Sequence, residues 1–443
     1  MRLRTKIGYS VGDFGLSIAY FAVGFFFLFY LTDVVGLAAS LAGTVVLVGK
    51  LWDGVNDPLV GILSDRTRSR WGRKRVYLLF GAVPFAICFA LLWRLPLDAS
   101  VAVTFALACA AILLFATAYS LVAVPYMALV PVMTRDYDER TELIGFRAML
   151  SAAATIAGGA IALLVTRGDA VAPSLRAMSL GFALVCAAAI LVAAASVRGV
   201  EAGGGADITR VPLRRYLALA REPNVATLLW FKLLGAVATG ALTAALPYFA
   251  EHVIGDAGVA SLSLAVYTIV AAALIPVVTR LTRRFDKRHL LLATNVAAAV
   301  VLGAIAFLLQ TDAVVPFLIG SGLLGAALSA YLVIPPSFVP DLVEWYQVER
   351  GERHESVFFG LWMTVHQIGL GVAGFALGLL LQAFGYDGAA ATPSASGILG
   401  VRLAFGALPA AFLVVASLVL LRYRITRERF EAARDAVAAG GRP

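Results

Sequence analysis

This chain is poor in the residues that suit a protein to water. Only 14% of its 443 residues are charged, while 61% are hydrophobic. A soluble domain of this size cannot cover its surface with so few polar side chains. A mean hydropathy of +0.88 places the chain among membrane proteins instead. Cysteine is scarce. Cys88, Cys109 and Cys186 each lie in an apolar tract, so neither a disulfide framework nor a thiolate metal cluster is expected. Histidine is equally scarce, with four scattered residues and no zinc-ligand spacing. There is no His-Glu-x-x-His motif and no recognisable pairing of nucleophile and base, so an enzyme is not expected. No small-residue cleavage pattern follows Met1-Arg2-Leu3-Arg4-Thr5-Lys6, so no removable signal peptide is read.

What the chain does have is twelve apolar tracts, at about 9–31, 41–63, 76–95, 101–126, 148–166, 178–197, 225–250, 259–279, 290–309, 314–334, 357–383 and 401–421. Each is near the length that spans a bilayer. The net charge is +9, and its distribution decides what it means. Basic residues gather at the N-terminus, in every second loop after it (Arg66 to Arg75, Arg135 to Arg147, Arg198 to Arg221, Arg280 to Arg288, Arg350 and Arg353) and in the tail. That pattern holds 30 of the 36 Lys and Arg. The positive-inside rule then puts both termini in the cytoplasm of a multi-pass protein of the cytoplasmic (inner) membrane. The basic excess is a topology signal, and no nucleic-acid partner is expected.

The longest polar stretch, 198–224, splits the chain into an N-terminal half, 1–197, and a C-terminal half, 225–421, followed by a tail at 422–443. The basic loop after the second span and the one after the eighth hold equivalent positions, which makes a weak internal repeat. The expectation is an all-α membrane protein with twelve transmembrane helices in two six-helix halves, the layout of the major facilitator fold.

Charges inside apolar tracts carry the chemistry. The second tract holds Lys50, Asp53 and Asp57, each costing roughly 2.5–3.5 kcal/mol at membrane depth. At about 100° per residue the three fall within roughly a 60° arc of one helix. Two carboxylates and an ammonium on one face suit a cation that binds and leaves. A structural charge cluster neutralised by Lys50 is the plain alternative. Asp13, Arg147, Lys232 and His366 also lie in or beside spans. For Asp13 and Arg147 an interfacial role competes with a substrate contact. Lys232 is expected to reach the cytoplasmic interface along its aliphatic stem. Trp52, Tyr119, Tyr126 and Trp362 can stack on a sugar ring or serve in packing.

Four motifs resemble those of the glycoside–pentoside–hexuronide cation symporters. They are Tyr30-Leu31-Thr32-Asp33-Val34-Val35-Gly36, then Leu51-Trp52-Asp53 with Asn56-Asp57-Pro58 and Asp65 to Arg73, then Val124-Pro125-Tyr126 to Pro131 with Arg140 and Arg147, and finally Asp341 to Trp345 with Gly351, Arg353 and Glu355. The resemblance implies symport by alternating access. It implies a cation site at Asp53 and Asp57, joined by Asn56 and by Ser120 of the fourth span. Four oxygen donors favour Na+ over H+, since a proton needs one carboxylate. It implies a substrate contact at Arg147 and substrate positions at Ser17, Ala123, Met127 and Gln367; the residues themselves add Tyr119, Tyr126 and Trp362 as stacking candidates, Lys50 as suited to an anionic solute, and His366, which faces either the cavity or a helix contact. It also implies a cytoplasmic gate, with Asp65, Arg66, Gly72 and Arg73 in one loop and Asp341, Glu344, Arg353 and Glu355 in another.

The chain departs from the family pattern where a sugar binds. The resemblance places aspartates at Ser17 and Ala123, a stacking aromatic at Met127 and a lysine at Gln367. Groups matched to sugar hydroxyls give sugar selectivity, so their loss argues against a melibiose-like galactoside. The expectation is a cation-coupled symporter of a sugar or glycoside-like solute. The alternatives are the same fold carrying a lysolipid-like or uronate solute, or a non-transporting sensor. Expected partners are the small-molecule substrate and membrane lipid; no cofactor beyond the coupling ion and no assembly beyond a monomer is expected.

Overall fold

The computed structural model describes residues 2–134, 137–166, 171–199, 219–282, 284–350, 355–388 and 393–423. They are helical almost throughout, in fifteen α-helices. These are α1 (Leu3–Phe29), α2 (Ala39–Arg66), α3 (Arg75–Leu92), α4 (Val101–Met127), α5 (Val130–Met133), α6 (Tyr137–Thr166), α7 (Val171–Ser196) and α8 (Pro223–Phe249), then α9 (Gly258–Ala273), α10 (Ile275–Leu281), α11 (Lys287–Leu308), α12 (Val314–Arg350), α13 (Glu355–Ala383), α14 (Ala395–Arg402) and α15 (Leu408–Leu420). Short π-helical turns follow α1 (Tyr30–Val34) and α8 (Ala250–Ile254), and a third joins α14 to α15.

Among the described residues nine helical tracts are long and apolar enough to cross a membrane, and the pair α9–α10 makes a tenth. That pair bends by 43° at Leu274. Pro276 opens the second piece, and its missing N–H and ring prevent a straight continuation. The two remaining long helices are α2 and α6, of 28 and 30 residues. Their length is ample, at about 1.5 Å per residue. Charge sets α2 apart, since it carries Lys50, Asp53, Asp57, Asp65 and Arg66.

The chain forms two compact units. The first comprises Met1–Asp207, Leu246–Leu262 and Gly374–Gly400; the second comprises Ile208–Ala245, Ser263–Ala373 and Val401–Pro443. The units therefore do not follow the expected halves strictly, because two stretches from the second half of the chain pack with the first unit.

Within the first unit α1 packs on α6 and α7, α2 on α4, and α3 on α4 and α7. Lipid tails are as apolar as leucine, so close backbone approach replaces the hydrophobic effect as the force between helices. Small residues make that approach possible. A Cβ on Gly15 would lie 2.9 Å from the Ala189 Cβ, and one on Gly43 only 2.6 Å from the Gly374 carbonyl oxygen. The second contact explains part of the exchange between chain halves, since it seats the end of α13 on α2. In the second unit α11 packs on α12 and α15, and α10 on α12. Asp286 caps α11 by accepting a hydrogen bond from the Arg288 backbone N–H at 2.8 Å. Burial raises its carboxyl pKa, but the Arg288 side chain and backbone outweigh burial and hold it below the usual carboxylate value.

Candidate functional site

The charged face of α2 is assembled with neighbours from α1 and α4, all within the first unit. Lys50 Nζ donates to Asp53 Oδ2 at 3.0 Å and lies 4.6 Å from the centre of the Tyr20 ring. Both side chains of the pair are largely buried, at 17% and 10% exposure. One turn further along, Ser120 Oγ donates to Asp57 Oδ1 at 2.5 Å. Asn56 is buried between the two carboxylates in sequence, and its Nδ2 has no hydrogen-bond partner. Tyr119 packs in a ring cluster with Tyr20, Phe85 and Phe115. Trp52 stands at the edge of this group and donates from Nε1 to Thr117 Oγ1 at 2.9 Å. Asp53, Asp57, Lys50 and Ser120 are thus brought together as one polar group inside an apolar bundle. No cluster of three or more His, Cys, Asp and Glu placed for a metal ion occurs among the described residues. Two carboxylates with a hydroxyl and an amide are hard oxygen donors suited to an alkali cation, and they include no soft ligand.

The expected substrate residues of the first unit divide into two sets. Arg147 forms a buried ion pair with Asp13, and its guanidinium lies over the ring of Tyr126 at 5.1 Å. Tyr126 is itself closed upon Tyr9. Each hydroxyl donates to the other residue's backbone carbonyl, at 2.6 and 2.9 Å, and the rings stack at 4.5 Å. Ser17 Oγ shares a hydrogen bond of 2.7 Å with Ser151 Oγ, and Ala123 is buried. Met127, at the end of α4, is 52% exposed and stands apart from these groups in burial. The Asp13–Arg147 pair links residues that the sequence offers only as separate charges.

In the second unit Lys232 does not emerge as a free interfacial charge. Its Nζ lies 5.0 Å from the ring centre of the buried Trp362. His366 and Gln367 follow one turn along α13 and are half-buried.

The loop after α2 pairs Asp65 with Lys74 at 3.4 Å. Gly72 adopts φ +99°, a left-handed conformation that favours glycine, so its turn requires that residue whatever the loop does. Arg66 is exposed and Arg73 half-buried. Asp341 and Glu344 belong to α12 and Glu355 opens α13, but their side chains, like the whole of Arg353, lie outside the described residues.

Sequence reasoning misses a further polar network. Tyr386 donates to Asp33 Oδ1 at 2.5 Å, and His252 Nε2 lies 3.2 Å from the same oxygen and 2.6 Å from the Tyr386 hydroxyl. Thr32 bridges Asp33 Oδ2 and the Tyr248 hydroxyl, at 2.5 and 2.7 Å. Burial, and then the Asp33 carboxylate beside it, push the Tyr386 hydroxyl well above its ordinary pKa. Asp33 and His252 both sit in π-helical turns, at equivalent places after α1 and α8. The signal for this network lies in the Tyr30 to Gly36 motif, whose aspartate has no other stated task.

The described residues form long apolar helices with buried charge pairs among them, the make-up of a multi-pass membrane protein. Residues 8–427 match the family described as MFS/sugar transport protein, and the chain belongs to that family. The match bears out the resemblance to glycoside–pentoside–hexuronide symporters. Among similar curated proteins is the inner membrane symporter YicJ of Escherichia coli, 27% identical over 453 residues, covering 100% of this chain and 96% of that protein. Another is the putative glycoside/cation symporter YagG of the same organism, 26% identical over 438 residues and covering 98% and 94%. The crystal structure of the nucleoside transporter NupG shares the fold. Its TM-score is 0.67 at 14% identity, over 96% of this chain and 100% of that one.

Proposed function

We propose that this chain is a symporter that couples movement of a cation, Na+ in preference to H+, to that of a glycoside-like solute across the cytoplasmic membrane. One observation carries the reading: on one face of α2, Lys50 occupies Asp53 while Asp57 is held by Ser120 of α4. In the absence of the ion, Lys50 neutralises a buried carboxylate that would otherwise be costly. An arriving cation takes oxygens from Asp53, Asp57 and Ser120 and frees the ammonium toward the face of Tyr20, which lies 4.6 Å away. The ion then fixes α2 to α4. Substrate bound by a neighbouring helix meets a preorganised wall, and by linkage it must raise ion affinity as much as the ion raises its own. The likeness to YagG supports a glycoside-like cargo. Ser17, Ala123, Met127 and Gln367 argue against a melibiose-like galactoside, because they present few groups matched to sugar hydroxyls. The cycle requires no cofactor, and one copy of the chain holds every residue used here.

A second reading, an anionic cargo such as a uronate, is favoured by Lys232. Its ammonium meets the ring of Trp362 and has no carboxylate partner among the described residues. Uptake into proteoliposomes tests both readings, with imposed Na+ or proton gradients and a panel of glycosides, uronates and lysolipids. Wild-type protein is expected to accumulate one class only when a gradient is imposed, and Asp57→Asn to lose that accumulation while retaining binding of the solute. Unchanged accumulation by Asp57→Asn would remove the coupling assignment.

A further inference from the structure

The network around Asp33 has no part in the mechanism above, although its aspartate belongs to one of the four sequence motifs. Its members come from three distant places in the chain. Thr32 and Asp33 lie in the turn that ends α1, Tyr248 and His252 at the end of α8, and Tyr386 in the turn after α13. All five belong to the first unit. Yet α8 as far as Ala245 and α13 as far as Ala373 belong to the second, so the network lies just past the points where both helices enter the first. Basic residues stand at or before the start of α1, α8 and α13. By the positive-inside assignment all three helices run outward, and these ends face away from the cytoplasm.

The protons of the network can be counted. An ionised carboxylate only accepts hydrogen bonds. Tyr386 donates to Asp33 Oδ1 at 2.5 Å. Thr32 donates to Oδ2, the nearest of its acceptors, also at 2.5 Å. Tyr248 then donates to Thr32 Oγ1 at 2.7 Å, and the His252 Nε2–H to the Tyr386 oxygen at 2.6 Å. Every donor of the set leads to Asp33, directly or through one hydroxyl. The Asp33 and His252 side chains are only 9% and 15% exposed, so these donors stand in for water around the carboxylate. The backbone follows the side chains: a Cβ on Gly388 would lie 2.7 Å from the Thr32 carbonyl oxygen, which seats the chain after Tyr386 on the turn that holds Asp33. Removing that one acceptor undoes the set as a whole, and such all-or-none behaviour suits a two-state element. We propose that the Asp33 network is a latch that fastens the outer ends of α8 and α13 to that of α1 and, on the symport reading above, opens to admit solute from outside.

The test is cysteine labelling of the full-length protein in right-side-out membrane vesicles with a membrane-impermeant maleimide. Ala250, fully buried in the π-turn that carries His252, is replaced in Ala250→Cys. Peptide mass spectrometry reads the label at residue 250, so the native cysteines stay in place. Labelling is expected to be slow in this chain. Adding Asp33→Asn should speed it about tenfold, the factor for losing a charge-assisted hydrogen bond. Adding Tyr386→Phe instead, which keeps the ring and deletes one hydroxyl, should give a smaller rise. The control Ala108→Cys, equally buried in α4, should respond to neither. A rate at residue 250 unchanged by both substitutions would mean that the network does not hold these ends. An equal rise at residue 108 would mark general loosening of the fold. Either result overturns the latch. Labelling needs no solute and no ion gradient, so its failure is separate from a failure of gradient-driven accumulation, which bears on the coupling.

Discussion

The two compact units differ in how the described charges of their long helices are paired. In the first unit most of the described charges at depth are paired, Lys50 with Asp53, Asp57 with Ser120, Asp13 with Arg147, and Asp33 with His252 and Tyr386, while the buried Arg176 Nε has no hydrogen-bond partner. In the second, Lys232 faces an indole, and the described carboxylate with basic partners, Asp286, stands outside the spans at a helix cap. Closed pairs are self-sufficient, and on the proposed mechanism the pair on α2 trades one partner for another when an ion arrives. A lysine held only by an aromatic face has spare capacity for an anion. On the proposed mechanism the contrast places ion handling in the first unit, and leaves Lys232 of the second with no ion pair among the described residues.

The largest effect should come from breaking a closed pair. Asp53→Asn alone removes the ion-pair partner of the buried Lys50 ammonium, and loss of one partner of a buried pair costs about 3–5 kcal/mol. The double variant Lys50→Met/Asp53→Asn should recover most of that stability, measured by chemical or thermal unfolding in detergent, yet remain unable to couple ion and solute movement. If the double variant is no more stable than Asp53→Asn, the two charges do not neutralise each other and the comparison collapses.

Lys232→Met should behave differently. With no paired carboxylate to strand, it is expected to leave stability within about 1 kcal/mol of wild type, because the cation–π contact is worth roughly 0.5–2 kcal/mol and the methionine can pack on the same ring. Competition binding should show weakened recognition of anionic solutes relative to neutral ones. A large loss of stability would mean that Lys232 has a partner as firm as those of the first unit.

The smallest effect is expected at Asp286. Replacing this cap by alanine should cost about 0.5–2 kcal/mol. Its carboxyl is held below the usual value in the folded protein, so its contribution is present at neutral pH and fades as the pH falls through that lowered value. The difference in stability between Asp286→Ala and wild type should therefore narrow on acidification. A gap that widens would reverse the sign of the linkage.

Much of this was legible before any coordinates. Lys50, Asp53 and Asp57 lie within two turns of one helix, so their shared face follows from periodicity alone, and the hydropathy pattern marks the spans. Ser120 lies 63 residues away and enters only through the resemblance. Asp13 and Arg147 lie 134 residues apart, and only the packing of α1 on α6 brings them together. Periodicity carries no information of that range. Hydropathy likewise sends Lys232 toward the interface, because it takes no account of Trp362 on another helix. His252 and Tyr386 leave no local trace either, since their hydrogen bonds depend on where α8 and α13 end.

The charge on α2 has a consequence for how the protein is made. A helix that carries three ionisable groups at depth meets an insertion penalty of several kcal/mol if it enters the bilayer alone. Its relief comes from residues synthesised both before and after it. Tyr20 of α1 is already present to receive Lys50, whereas Ser120 of α4 reaches the membrane only two spans later. The second helix is therefore a poor membrane segment by itself and a good one in company. Biogenesis of the first unit must hold α2 beside α1, near the translocation machinery, until α4 arrives to close the site.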